Sequence, residues 1–131
     1  MRSDAPQVLV LGRTAAARMA AILLAHRGGV RVRVSADVGA EVQGPGHRAI
    51  EVVLREAGVP DAVVPAPPTQ GSVPDLLISV GEQPPPGPRG VRRVDWQLAD
   101  PRGHDIPVLR ALREDVDTCV AALLEELDPP G

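Results

Sequence analysis

Apolar positions fall into short continuous runs and longer stretches spaced by three and four residues, and the two kinds alternate along the chain. Gln7-Val8-Leu9-Val10-Leu11 is a short apolar run ending at Gly12, the pattern of a strand buried on both faces. Ala15 to Arg27 is rich in Ala and Leu, with Met19, Ile22 and Leu23 at helical spacing, and Gly28-Gly29 supplies a stop. Val30 to Ser35 alternates Val with Arg, which predicts a strand at a sheet edge with its Arg residues outward. A second helix is expected from about Pro45 to Ala57, with Ile50, Val53, Leu54 and Ala57 as its apolar stripe and Gly58 as its end. Ala62-Val63-Val64 reads as a brief strand, 65–74 as a Pro/Gly-rich loop, and Asp75 to Val80 as another buried strand. Residues 83–90 hold too many prolines for helix or central strand, and Val91 to Val94 is again a short strand. The last element, Ile106 to Leu127, places Leu109, Leu112, Val116, Cys119, Leu123 and Leu127 along one helical face.

Helices returning between strands imply a parallel sheet with right-handed crossovers. The fold class expected is α/β, a small doubly wound parallel sheet of about four strands with helices on both faces. Residues 1–131 read as a single domain, with 1–6 and 128–131 expected to be flexible.

Composition changes this picture in a few places. The chain is 44% hydrophobic yet has no Phe or Tyr and one Trp, so its core must be aliphatic. All 14 basic residues are Arg, and the formal net charge of −3 argues against nucleic acid as a partner. No apolar run is long enough to span a membrane, and a cytoplasmic location is the default expectation. One cysteine excludes an intrachain disulfide, and no group of His or carboxylates has metal-ligand spacing, so neither metal nor cofactor is expected.

Candidate chemistry concentrates after the first strand. In open α/β sheets ligands bind at the carboxyl ends of the strands, where a helix N-terminus favours an anion. Here that stretch is Gly12-Arg13-Thr14-Ala15-Ala16-Ala17-Arg18, two guanidinium groups and a hydroxyl among small residues. It lacks the glycines and the Lys of a nucleotide-binding loop, so the candidate ligand is a phosphate-like or other oxyanion. An Ala-rich helix start with solvated Arg explains the same residues without a ligand.

Together with the rest of the chain, the segment resembles the start of the low-molecular-weight protein tyrosine phosphatase and thioredoxin-linked arsenate reductase superfamily. There a loop runs from a nucleophilic Cys to an oxyanion-binding Arg with five residues between. Aligned without a gap, Arg18 matches that Arg, the helix begins at Arg18-Met19-Ala20, and Gly12 takes the place of the Cys. A register shifted by two instead matches Met19-Ala20 to the family's Met-Ala and loses the Arg as well. Ser35-Ala36-Asp37 is similar to the family's strand-ending Ser-Ala-Gly, and Asp75 to Val80 to the strand before its second half-site. Arg93-Val94-Asp95-Trp96-Gln97-Leu98-Ala99-Asp100-Pro101 is similar to the reductase branch's Trp…Asp-Pro stretch, which implies that Asp100 matches the phosphatases' general acid; Trp96 is either a core plug replacing the missing aromatics or, with Asp100, a wall of the pocket, and the two roles can coexist.

The departures bear on function. Gly12 cannot attack phosphorus, and Gly81-Glu82 stands where the reductases place further cysteines. Cys119, on the helix stripe, reads as a packed, inert thiol. The expected function is a catalytically inactive, phosphatase- or reductase-like regulatory module that binds an oxyanion or a protein partner. The alternative is an enzyme with a repurposed pocket, in which Asp100 or His104 performs non-covalent acid–base chemistry on an anionic metabolite. A homodimer with a vestigial site is a third reading. His104, with Asp105, sits in a loop near the cradle, whereas His26 and His47 fall at helix termini.

Overall fold

A computed structural model describes residues 6–12, 14–38, 45–59, 63–68, 73–81, 91–98 and 105–127. Four strands and three helices follow in chain order: β1 (Gln7–Leu11), α1 (Ala15–Gly28), β2 (Arg33–Asp37), α2 (Pro45–Glu56), β3 (Leu76–Val80), β4 (Arg92–Trp96) and α3 (Ile106–Leu127). The strands form one parallel sheet in the order β2-β1-β3-β4. The expected four-stranded parallel α/β architecture is therefore present, and β2 is the expected edge.

Register decides which side chains share a face. Val8 lies opposite Val34 and Leu76, and Val10 opposite Ala36 and Ile78. Val80 pairs with Trp96 one row further on. Because side chains alternate along a strand, these residues point one way, and they join α1, α2 and α3 in a single core. Leu77 and Ser79 point the other way and are equally shielded from solvent.

α1 is apolar around most of its circumference, and Ala16, Ala17 and Met19 to Leu24 are all buried. A helix hydrophobic on every side must be covered on every side, and α1 meets β1, β2, β3, α2 and α3. It ends at Gly29, whose φ of 56° is a left-handed value that glycine adopts without Cβ strain. Arg31 then donates to the carbonyls of Arg27 and Gly28, groups left open by the helix end. α1 is tied to α3 by a two-point ion pair, Arg27 Nε to Asp117 Oδ1 at 2.5 Å and Nη2 to Oδ2 at 3.0 Å.

α3 also closes the end of α2. Arg113 Nη1 donates to the Val53 carbonyl at 2.8 Å and to Glu56 Oε1 at 3.2 Å. Arg110 grips the same carboxylate at 2.9 and 2.8 Å, the paired geometry a guanidinium favours.

Several expectations change. A 3-10 turn over Gly29–Arg31 delays β2 to Arg33, and β4 spans Arg92–Trp96 instead of 91–94. Residues 63–68 are not a strand; prolines at 65, 67 and 68 remove ladder donors. Their contact with the sheet is one bond, from Ala36 N–H to the Ala66 carbonyl at 3.1 Å. On α3 the buried stripe runs Leu109, Leu112, Val116, Val120, Leu123 and Leu124, with Cys119 and Leu127 only half-buried at its margin.

The Arg110 hydrogen bond, ahead of the other contributions, holds the Glu56 carboxyl below its ordinary value. A depressed folded-state pKa adds stability above the unfolded carboxylate value and loses it as pH falls through the folded one. Glu56→Gln should therefore lower the urea midpoint at pH 7 by a small amount, as expected of an exposed pair, and the difference should shrink as the pH is lowered into the acid range.

Candidate functional site

The connection from β1 to α1 lies at the carboxyl end of the sheet, where the open positions of a parallel α/β fold gather. Gly12 continues the inward-facing row of Val8 and Val10, and its N–H donates to the Asp37 carbonyl at 3.3 Å. A Cβ on Gly12 would lie 2.7 Å from the Ala17 Cβ and 2.7 Å from the Val80 carbonyl oxygen. Position 12 is therefore a point of close approach among α1, β1 and β3, and the direction a side chain would take is filled by protein.

Thr14 is the N-cap of α1. Its backbone is extended (φ −114°, ψ 170°) and its Oγ1 accepts from Ala17 N–H at 3.2 Å. Its carbonyl accepts from Arg18 N–H at 3.2 Å. The hydroxyl read as a candidate ligand is thus turned to the helix, in the role Thr favours before a helical run. One of the free first-turn amides that an anion would use, that of Ala17, is already bonded within the chain.

α1 begins at Ala15, so Ala15, Ala16, Ala17 and Arg18 are helical and only residues 12–14 connect strand to helix. The seven-residue loop implied by the gap-free alignment is not formed; three consecutive alanines extend the helix toward the strand. In neither register of the family's motif does a thiol occupy the connection.

Arg18 is partly buried within the second half-turn of α1. Its Nε is shielded from solvent and makes no hydrogen bond among the described residues. Trp96, for which a core plug and a pocket wall were both open, is 9% exposed and belongs to the core opposite Val80. Arg13, Asp100 and His104 lie outside the described residues. His26 is exposed in the last turn of α1, where a basic group complements the helix dipole.

Cys119 is half-buried on α3. Burial first, and the Asp115 carboxylate second, push its thiol above the ordinary value, so it stays protonated at neutral pH. No group of three or more His, Cys, Asp or Glu capable of holding a metal occurs among the described residues. No helix among them is long and apolar enough to cross a membrane.

Ser79 was not singled out by sequence. It is the one polar residue within the apolar β3 run, it is fully buried, and its Oγ has no hydrogen-bond partner among the described residues. A hydroxyl interrupting a buried strand is the signal that marked it.

No protein-family model matches the chain, and no curated protein matches it. Solved structures do. A thioredoxin-dependent arsenate reductase from Corynebacterium glutamicum is 26% identical with a TM-score of 0.67, over 97% of this chain and 64% of that one. An arsenate reductase in the phosphate-binding state is 19% identical with a TM-score of 0.72, over 94% of this chain and 99% of that one. By fold, the chain is a member of the low-molecular-weight tyrosine phosphatase and arsenate reductase superfamily. An arginine phosphatase from Geobacillus stearothermophilus is another such neighbour, with 19% identity and a TM-score of 0.66, over 93% of this chain and 92% of that one.

Two measurements check this geometry. Gly12→Ala should lower stability by roughly 1–3 kcal/mol, since overpacking against backbone forces a shift, and Thr14→Ala by about 1 kcal/mol through loss of the cap; urea denaturation reads both. Alkylation of Cys119 by iodoacetamide at pH 7.5 should be slower than that of a model thiol, and its rate should still be rising at the pH where the model thiol's has levelled off.

Proposed function

We propose that this chain is a catalytically inactive member of the phosphatase and arsenate reductase fold that works as a binding module, for an oxyanion or for a protein partner. The reading rests on one observation above others: the connection where the superfamily motif places its nucleophile holds Gly12, with the space for a side chain there taken by Ala17 and Val80. Thiolate attack requires a low-pKa cysteine beside the anion. The only cysteine instead sits on α3, with its thiol pushed up by burial.

The oxyanion form of this reading uses the N-terminus of α1 and the Arg18 guanidinium, whose Nε is desolvated with no hydrogen-bond partner among the described residues. Solved relatives by fold include a reductase in a phosphate-binding state, which supports an oxyanion as the ligand class. Asp100 and His104 are the residues on which the alternative reading, acid–base chemistry on an anionic metabolite, depends.

The test uses the intact chain. It should hydrolyse no p-nitrophenyl phosphate and reduce no arsenate with thioredoxin. Phosphate or arsenate should raise its melting temperature, and Arg18→Met should abolish that rise. Turnover that survives Cys119→Ala but is lost in Asp100→Asn would replace the binding reading with the enzymatic one. A melting temperature indifferent to both anions would leave only the protein-partner form.

A further inference from the structure

β2 is the outer strand of the sheet, and its backbone polarity can be read residue by residue. Arg33 N–H donates to Pro6 and the Asp37 carbonyl accepts from Gly12, so the backbone groups of Arg33, Ser35 and Asp37 face β1. Those of Val34 and Ala36 therefore face away from the sheet, toward the open edge. One bond closes that edge, from Ala36 N–H to the carbonyl of Ala66 at 3.1 Å. Among the described residues no other hydrogen bond reaches it. The 63–68 segment that makes the bond carries prolines at 65, 67 and 68, which cannot donate to a ladder. It is anchored by half-buried Val64, while Val63 is 71% exposed.

The side chains beside this edge are self-complementary. Arg33 and Asp37 are both exposed and on the same face as Ser35, and neither has an ion-pair partner among the described residues. Consider a second β2 laid antiparallel against the first and centred on Ser35. Val34 of one copy then faces Ala36 of the other, with both residues presenting N–H and C=O across the seam, a hydrogen-bonded pair. The next positions outward set Arg33 of each copy opposite Asp37 of the other. These are non-hydrogen-bonded pairs, where facing side chains approach most closely. The twofold symmetry makes both ion pairs at once, as an isologous contact requires. In a parallel arrangement Arg33 would face Arg33 and Asp37 would face Asp37.

We infer that the β2 edge is a latent self-association strand whose partner is a second copy of this chain, and that the 63–68 segment is a strap covering it. Pairing replaces two Ala66 bonds, one in each copy, by four backbone hydrogen bonds and two ion pairs, and joins the two sheets into one. The strap must leave before the strands can meet, so association is governed by how firmly Val64 holds. This edge touches the β1–α1 connection only through the Asp37 carbonyl, which accepts from Gly12 N–H on its inner side, and its pairing does not depend on what binds there.

Sedimentation velocity on the full chain tests this, with circular dichroism confirming that each variant is folded. Val64→Ser loosens the strap and should shift the chain toward dimer at concentrations where the wild type is monomeric; Pro67→Gly with Pro68→Gly provides a second release that leaves the core untouched. In either released background, Arg33→Asp should return the chain to monomer by placing carboxylates opposite one another. Combining Arg33→Asp with Asp37→Arg restores complementarity and should restore the dimer. High salt should weaken the association through screening. Folded monomers in both released backgrounds would overturn the proposal. A dimer insensitive to the Arg33→Asp change would overturn it equally, by locating the contact elsewhere.

Discussion

The seating of α1 directly against the sheet constrains much of the rest of this molecule. α1 is buried on nearly all sides, which calls for the sheet beneath it and α3 beside it. At its start the approach is so close that residue 12 has no room for a β-carbon between Ala17 and the Val80 carbonyl. Packing of this density leaves little freedom to insert or remove atoms. The connection from β1 is drawn tight by a helix starting at Ala15, with Thr14 as its cap.

That contact links stability to function. In a thiol-dependent site, amides and a nucleophile must point at one empty place, at some cost in packing. This chain has apolar contacts at that place: Ala16 and Ala17 are buried, and the hydroxyl of Thr14 is spent on the helix. Arg18 is the group whose chemistry is not accounted for by packing, because a desolvated guanidinium nitrogen without a partner is costly. The polar scaffold is otherwise carried by ion pairs between elements, Arg27 with Asp117, Arg92 with Glu126, and Glu56 with Arg110 and Arg113. With 14 Arg and no Lys, such two-point grips are available wherever a carboxylate faces a neighbouring helix.

Much of the fold was legible because its periods are clean. The continuous run at 7–11, the apolar stretch at 75–80 and the three-and-four spacing of 106–127 each allow one reading, and all three are realised. The Val–Arg alternation marked β2 as an edge, and it is one. Val63-Val64 misled because hydrophobic composition alone does not supply ladder donors, and the prolines that follow remove them. Cys119 fell at the margin of the α3 stripe instead of within it, since spacing by threes and fours leaves one neighbouring position ambiguous. The candidate site was harder to read. Local propensity at Ala15–Ala17 pointed to helix while likeness to a family motif pointed to loop, and propensity prevailed.

The sequence by itself determined the class of fold, the aliphatic character of the core, and the absence of a nucleophilic cysteine after the first strand. Those follow from residue identity and local period, which do not depend on distant neighbours. Only the tertiary structure decided that Gly12 is a packing point, that Thr14 caps and does not display its hydroxyl, and that the outward edge of β2 is held by one bond from Ala66. Each of these is a distance between residues far apart in the chain or a direction set by the backbone, and neither is encoded in spacing. That no thiol follows β1 is visible in the letters; that protein fills the direction a side chain would take at Gly12 is visible only in space.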